Sequence, residues 1–289
     1  MRRISDPASV SGMSDEAQQL APEIIDHYEL GFEHRRLETV SRVEGVRTRE
    51  LLQRLLPAPP AVVLDVGGAA GVHALPLVRD GYAVHLLDAV PLHVEQAQAA
   101  SAAQAADGGG ALASAVVGDA RALPWEDGCA DAALLLGPLY HLDAEGRATA
   151  LAEARRVLKP GGLLLAAAVS RFSSMLDGLH ARALADPQFA AVCAETVASG
   201  EHRNPDGRPE WFTTAHFHHP DELWEEVAVA GFAVDGVLAV EGPASFLRDE
   251  GWWLDDPQRR EALLEAVRRV EREPSMLGAS AHLLAVGRA

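Results

Sequence analysis

Residues 62–78, VVLDVGGAAGVHALPLV, constrain the fold more than any other stretch of this sequence. The apolar run Val62-Val63-Leu64 meets Asp65, then Gly67, Gly68, two alanines and Gly71, after which apolar residues recur at helical spacing. The pattern predicts a strand, a tight turn and a helix. Gly67 can take a positive φ, and neither Gly67 nor Gly68 has a side chain to hold a ligand away from the backbone. Gly71 lets the helix start close against the strand, and free amides at its start face the turn. The turn is expected to bind a small molecule; the competing reading is a glycine turn that only packs helix on strand.

What the turn lacks narrows the ligand. A phosphate loop needs Lys followed by Ser or Thr, whereas Val72 and His73 follow Gly71. A dinucleotide fingerprint wants a third glycine three residues after the second, and the pattern here is Gly67-x-Ala69-x-Gly71. Downstream, residues 82–87, YAVHLL, predict a buried strand ending at Asp88, which is placed to accept both ribose hydroxyls of an adenosine, with Ala89 beside it. Capping the helix that starts near Pro91 is the alternative role for Asp88. A third strand over 113–117 leads into Gly118-Asp119-Ala120. There Asp119 can bond an exocyclic adenine amine with the ring against Ala120, or be a turn aspartate without a ligand. A fourth strand over 131–136 leads into Gly137-Pro138-Leu139-Tyr140-His141, facing the reactive end of a cofactor. A helix over 147–158 stops at Lys159-Pro160-Gly161-Gly162, and strand five spans 163–169.

Taken in order, Asp65-x-Gly67, Asp88, Gly118-Asp119-Ala120, Gly137 to His141 and Leu158 to Gly162 resemble the class I S-adenosylmethionine-dependent methyltransferases, in particular the UbiE-like bacterial small-molecule type. The resemblance implies an α/β, Rossmann-like seven-stranded methyltransferase sheet whose last strand is antiparallel, with S-adenosylmethionine as cofactor and S-adenosylhomocysteine as product. One departure matters. Many such enzymes have glycine where this chain has Ala69, and an alanine is expected to fit only with a negative φ and a methyl clear of the methionyl part of the ligand.

The rest of the chain is expected to surround this core. Residues 1–14 have no apolar period and predict a loose tail; 15–60 form a helical cap, in the pieces 15–31 and 33–56, ahead of a core over 61–170. In the cap, Tyr28, Glu33 and Arg36 belong to a Y-x-x-G-x-E-x-x-R-L pattern. Tyr28 and Arg36 are candidates to reach the cofactor, Arg36 through a carboxylate; Glu33 and Arg36 can equally be a solvated helical pair. Residues 171–220 read as a lid insertion for the acceptor, with amphipathic helices over 171–199 and a polar, aromatic, turn-rich stretch over 201–220. Phe172, Arg208, Phe212, His216 and His218 are the candidates there, together with Tyr140. His216 and His218 alternate on an extended segment, which invites a metal reading; with no acid or cysteine at ligand spacing, an acceptor pocket or simple burial is preferred and no metal is expected. Residues 221–289 complete the core: a helix over 221–230, strand six over 232–240 broken at Gly236, a helical insertion over 252–273 and a last antiparallel strand over 281–286, with His282 facing pocket or core.

Composition limits the partners. The formal charge of −17 repels a polyphosphate backbone, so the acceptor is expected to be a small molecule and not nucleic acid. Two cysteines without metal spacing, and no apolar run long enough to span a bilayer, predict a reduced, cytoplasmic protein without a membrane partner, monomeric or homodimeric. Methyl transfer from a sulfonium needs alignment and exclusion of water, and a base only where the acceptor must lose a proton. His141 is the expected base with Tyr140 as orienting neighbour, or the two only pack the loop. Competing functions are an NAD-dependent oxidoreductase on the same core and a non-catalytic S-adenosylmethionine-binding regulator.

Overall fold

The computed structural model describes residues 22–29, 37, 39, 41–204, 206–208 and 210–289. The expected tail and the Glu33–Arg36 pair lie outside the described residues. Seven strands form the main sheet: β1 (Val62–Val66), β2 (Ala83–Asp88), β3 (Ser114–Val117), β4 (Ala130–Leu135), β5 (Leu158–Val169), β8 (Ala233–Ala239) and β9 (His282–Arg288). Their spatial order is β3-β2-β1-β4-β5-β9-β8. The first five are mutually parallel, while β9 runs antiparallel between β5 and β8. The last strand is thus antiparallel as expected, but it is inserted inside the sheet and leaves β8 at the edge. Gly236, at φ +142°, marks the register shift that interrupts β8.

Period-two alternation explains why both faces are covered. On β5, Leu164, Ala166 and Ala168 belong to one apolar cluster and Leu163, Leu165 and Ala167 to the other. Each fully buried leucine contributes about 1.5–3 kcal/mol of transfer free energy, so the two layers dominate the stability of the core. Helix α2 (Arg42–Leu55) packs Leu51 and Leu52 into the second cluster. It is also pinned by Arg47, fully buried, which donates to the Val240 carbonyl at 2.8 Å and pairs with Glu271 at 2.7 Å. Preceding it, α1 (Pro22–Glu29) docks on the segment before β7 (Ala215–His216), where Thr213 donates to the Glu23 carbonyl.

The chain winds outward from β1 to β3 and returns to place β4 on the other side of β1. That makes the β1/β4 boundary the switch point, where a crevice opens beyond the strand ends. Asp65 is in register with Leu86 and Leu134, so the ends of β1, β2 and β4 arrive at one edge. Helices α3 (Ala74–Arg79), α4 (Pro91–Ala106) and α5 (Ala144–Val157) follow β1, β2 and β4, and after β5 helices α6 (Ser173–His180) and α7 (Pro187–Ser199) precede β6 (Glu201–His202), which pairs with β7. The helical insertion expected over 252–273 consists of two helices, Glu250–Leu254 and Pro257–Val270. Pro257 cannot continue a helix, and Asp256 starts a new one by accepting from the Gln258 and Arg259 amides.

Candidate functional site

The glycine turn folds as a cradle at the switch point. Gly67, at φ +72°, and Gly68 both donate their amides to the Leu87 carbonyl, tying the turn to the end of β2. A Cβ on Gly67 would stand 2.9 Å from Pro138, and one on Gly68 would stand 2.7 Å from Asp65 Oδ2, so neither position accepts a side chain. The expectation for Ala69 is corrected: its φ is +46°, in the left-handed region. Its amide donates to Asp88 Oδ2 at 2.8 Å, and that bond holds the residue in a conformation an alanine otherwise avoids. Gly71, expected at the cofactor, does not line the cavity. It closes the turn at φ +84° and packs toward Leu75 and Ala97, a structural role.

Two acids stand side by side beneath this turn. Asp65 is buried, and burial first, then the charge of Asp88, pushes its pKa up to about 7. Its Oδ2 has no hydrogen-bond partner among the described residues. Asp88 accepts from the Val90 amide at 2.9 Å and from His93 Nδ1 at 3.0 Å on one oxygen, and from Ala69 on the other. A carboxylate has about four acceptor sites, so three are in use and a diol must share an oxygen with the Ala69 amide. His93 is a site residue the sequence did not suggest: it is buried, lines the cavity and meets the Tyr28 ring edge-on at 5.5 Å. The signal was its place in the first turn of the helix that follows Asp88. Further along the rim, Asp119 is clamped by Arg121 through its amide at 2.8 Å and its guanidinium at 2.6 Å.

The cavity brings together Tyr28, Asp65, Gly67, Gly68, Ala69, Asp88, Ala89, Gly118, Asp119, Ala120, Gly137, Pro138, Tyr140 and His141 of the candidates named from the sequence, without Gly71; Arg36 lies outside the described residues. At its mouth, the Tyr28 hydroxyl and His141 Nε2 are 2.6 Å apart although 113 residues separate them. Since a carbonyl only accepts, His141 Nδ1 carries the proton it donates to Thr214 at 3.3 Å, which leaves Nε2 to accept from Tyr28. The ring of Tyr140 rests against His141 at 4.6 Å.

A second cavity, about 340 Å³, shares Tyr28, Glu44 and Tyr140 with the first and is also lined by Phe212 and His282. The other acceptor candidates are elsewhere. Phe172 packs against His219 and Gly278. Arg208 pairs with Asp186 at 2.9 Å and lies 4.1 Å over the Trp211 ring. His216 is held between Glu201 at 3.1 Å and Glu222 at 2.7 Å, and His218, wholly buried, pairs with Glu226 at 3.2 Å. These placements correct the expectation that His216 and His218 face an acceptor. The acids that hold them come from β6 on one side and from α8 (Pro220–Val229), which begins two residues after His218, on the other, and Arg171 and Arg147 complete the network. Burial lowers the His218 pKa against the pull of Glu226. Among the described residues, one group of three potential metal ligands is close together, Glu44, Glu241 and His282.

Residues 63–162 match the family described as "Methyltransferase domain". No curated protein sequence matches the chain. Solved structures with the same fold include an S-adenosylmethionine-dependent methyltransferase from Methanosarcina mazei, 19% identical over 82% of this chain and 96% of that one, TM-score 0.56. An S-adenosylmethionine-dependent methyltransferase from Mesorhizobium loti is 14% identical, covering 86% of this chain and 100% of that one, TM-score 0.56. The geranyl diphosphate C-methyltransferase of Streptomyces coelicolor A3(2), solved with Mg2+, geranyl diphosphate and S-adenosyl-L-homocysteine, is 12% identical over 94% of this chain and 89% of that one, TM-score 0.54. No helix among the described residues is long and apolar enough to cross a membrane.

Proposed function

We propose that this chain, whose residues 63–162 match a methyltransferase domain and whose fold is shared with S-adenosylmethionine-dependent methyltransferases, is itself such an enzyme and methylates a small molecule seated in the second cavity. The cofactor would lie in the first. The observation that supports this reading is the junction between the two cavities, where Tyr28, Glu44 and Tyr140 belong to both walls. The cradle fits a nucleoside carrying a positive charge: Gly67 and Gly68 leave room against the backbone, and Asp65 offers a buried carboxylate oxygen without a partner. Asp88 would take the ribose hydroxyls, Asp119 the adenine amine with Ala120 under the ring, and Ala89, Gly118, Gly137 and Pro138 would close around them.

The bound cofactor supplies an electrophilic methyl on a sulfonium, a group that needs alignment with the acceptor and little else. Tyr140 and Phe212 would align the acceptor, and the apolar rings at the junction would exclude water. Where the acceptor must lose a proton, the geometry favours a relay. Tyr28 oxygen accepts the proton while its own passes to His141 Nε2, and the Thr214 carbonyl keeps the imidazole oriented to receive it. His141 is then a base acting through Tyr28, and Tyr140 packs it in place.

Calorimetry with S-adenosylmethionine and S-adenosylhomocysteine tests the first half of this reading, and transfer of a labelled methyl to small-molecule extracts tests the second. Saturable cofactor binding with labelled product is the expected result. An absence of binding, with NAD taken up instead, would refute it.

A further inference from the structure

The second cavity has an unusual charge balance. Glu44, Asp177, Glu210, Glu241 and Glu250 line it, and no Arg or Lys does among the described residues. Glu241 is satisfied internally, accepting from Ser280 at 2.9 Å and from the His282 amide at 3.0 Å. Glu250 accepts from the Arg42 amide at 3.0 Å, yet burial raises its pKa above the usual carboxylate range against the pull of Arg42, and burial raises that of Asp177 against the pull of His180.

An independent feature is His202. It is 1% exposed, its Nε2 has no hydrogen-bond partner among the described residues, and it lines this cavity. Thr196 Oγ1 lies 3.2 Å from Nδ1 and gives its own hydrogen to the Val192 carbonyl at 2.8 Å, so it accepts from His202. With Thr196 the nearer partner and Ser174 Oγ farther off at 3.5 Å, the proton sits on Nδ1 and Nε2 is left as an acceptor. Stacking on Phe217, with ring centroids 4.7 Å apart and planes at 9°, locks the ring. Burial also keeps the imidazole uncharged, its pKa lowered to about 4 against an opposing contact with the Trp211 main chain. A buried acceptor left without a donor is costly, and a cavity that joins it to carboxylates asks for a ligand rich in N–H groups. Trp211, Phe212, Phe217 and Tyr140 provide ring faces for the same ligand.

We propose that the methyl acceptor is a cationic amine, its charge met by Asp177 and Glu250 and a second N–H met by His202 Nε2. The inference rests on the first cavity being the cofactor site. An anionic acceptor would meet five carboxylates, and His282, the lining group best able to oppose them, is already paired with Glu241 and Glu44. For transfer to nitrogen, the ammonium first gives one proton to the Tyr28–His141 pair, which exposes the lone pair. The new N–C bond forms as the S–C bond breaks, the bonding pair stays on sulfur, and the methylated ammonium carries the charge away while the relayed proton goes to solvent.

The test uses the full chain and three matched series of aromatic ligands bearing an ammonium, a hydroxyl or a carboxylate, measured by calorimetry with and without S-adenosylhomocysteine and by labelled methyl transfer. Ammonium ligands should bind at least about tenfold more tightly than their hydroxyl or carboxylate counterparts, a difference of about 1.4 kcal/mol. Glu250→Gln with Asp177→Asn should erase that preference, and His202→Phe should weaken ammonium binding severalfold, with S-adenosylhomocysteine affinity unchanged throughout. Equal binding of the three series in the presence of S-adenosylhomocysteine would overturn the inference and leave the cofactor site standing. Ammonium selectivity without any S-adenosylhomocysteine binding would uphold it and overturn the cofactor reading. Activity lost in EDTA and restored by Mn2+, with the carboxylate series preferred, would overturn it and assign Glu44, Glu241 and His282 to a divalent cation.

Discussion

The two cavities meet at Tyr28, Glu44 and Tyr140 but are built in opposite ways. The first takes its walls from short contiguous runs at the tips of β1, β2, β3 and β4, where main-chain turns fix the shape and the acids follow from strand register. The second draws single residues from α2, α6, β6, the loop before β7 and the start of β9, so its shape depends on how separate elements pack. A backbone-built pocket is set by topology and tolerates little change; a side-chain-built one varies without disturbing the sheet. Damage to the first should therefore appear in cofactor affinity, and damage to the second in acceptor choice.

Asp88→Ala is the strongest challenge to that separation. With three of its roughly four acceptor sites in use, Asp88 has one to offer the ribose, and losing that charge-assisted hydrogen bond, about 1.5–3 kcal/mol, should weaken S-adenosylhomocysteine binding by about tenfold or more. Acceptor-series binding should stay within a factor of about two, because Asp88 does not line the second cavity. Equal loss on both sides, read by calorimetry, would mean that the cavities act as one.

Tyr28→Phe sharpens the comparison at the boundary. The ring remains and the hydroxyl bonded to His141 is removed, so turnover should fall roughly a hundredfold with cofactor affinity retained. A relay also predicts that Tyr28→Phe and His141→Ala are not additive, and that the acid limb of the pH profile is lost in both. Unchanged turnover would reduce the pair to packing.

The same contrast explains what the residues alone revealed. Asp65, the glycine turn, Asp88 and Gly118 to Ala120 were legible because each follows a buried strand and parallel strands end together. His216 and His218 were misleading because alternation fixes which way side chains point but not what the other side holds. Glu201, Glu222 and Glu226 reach them only through the packing of β6 and α8. His202 carried no signal, since its unpartnered nitrogen exists only once Thr196 and Phe217 fix its ring. The left-handed Ala69 was missed because its cause is the long-range bond to Asp88.

Asp65→Asn tests the electrostatics of the backbone-built side. With a pKa of about 7 in the fold against 3.8 as the ordinary value, Asp65 keeps a proton that the unfolded chain has released. Its contribution to stability is complete below the lower value and is lost as pH rises to the upper one, at about 1.4 kcal/mol per pH unit. Denaturant unfolding of wild type and Asp65→Asn should diverge across that window, the variant losing less stability as pH rises. Binding a cationic cofactor beside Asp65 should expel the proton, so calorimetry near neutral pH should show heats that depend on the buffer's ionisation enthalpy. Parallel stability profiles would show that Asp65 is ionised throughout.

Ala69→Gly should produce the smallest effect, in a direction opposite to most substitutions. An alanine in the left-handed region costs about 1–2 kcal/mol. Glycine removes that cost but gives back about 0.5–1 kcal/mol through the greater freedom of the unfolded chain. The net gain should be below about 1 kcal/mol, which for a chain of this size raises Tm by about 2 °C. Cofactor affinity should rise slightly if the left-handed turn is the bound conformation, because less of the free protein then samples other turns. Ala69→Val supplies the opposite arm: a β-branched residue resists positive φ, so the amide should leave Asp88 and cofactor binding should weaken while the acceptor series is unaffected. A Tm that falls with glycine and holds with valine would mean that residue 69 is extended in solution and that the Asp88 bond does not shape the turn.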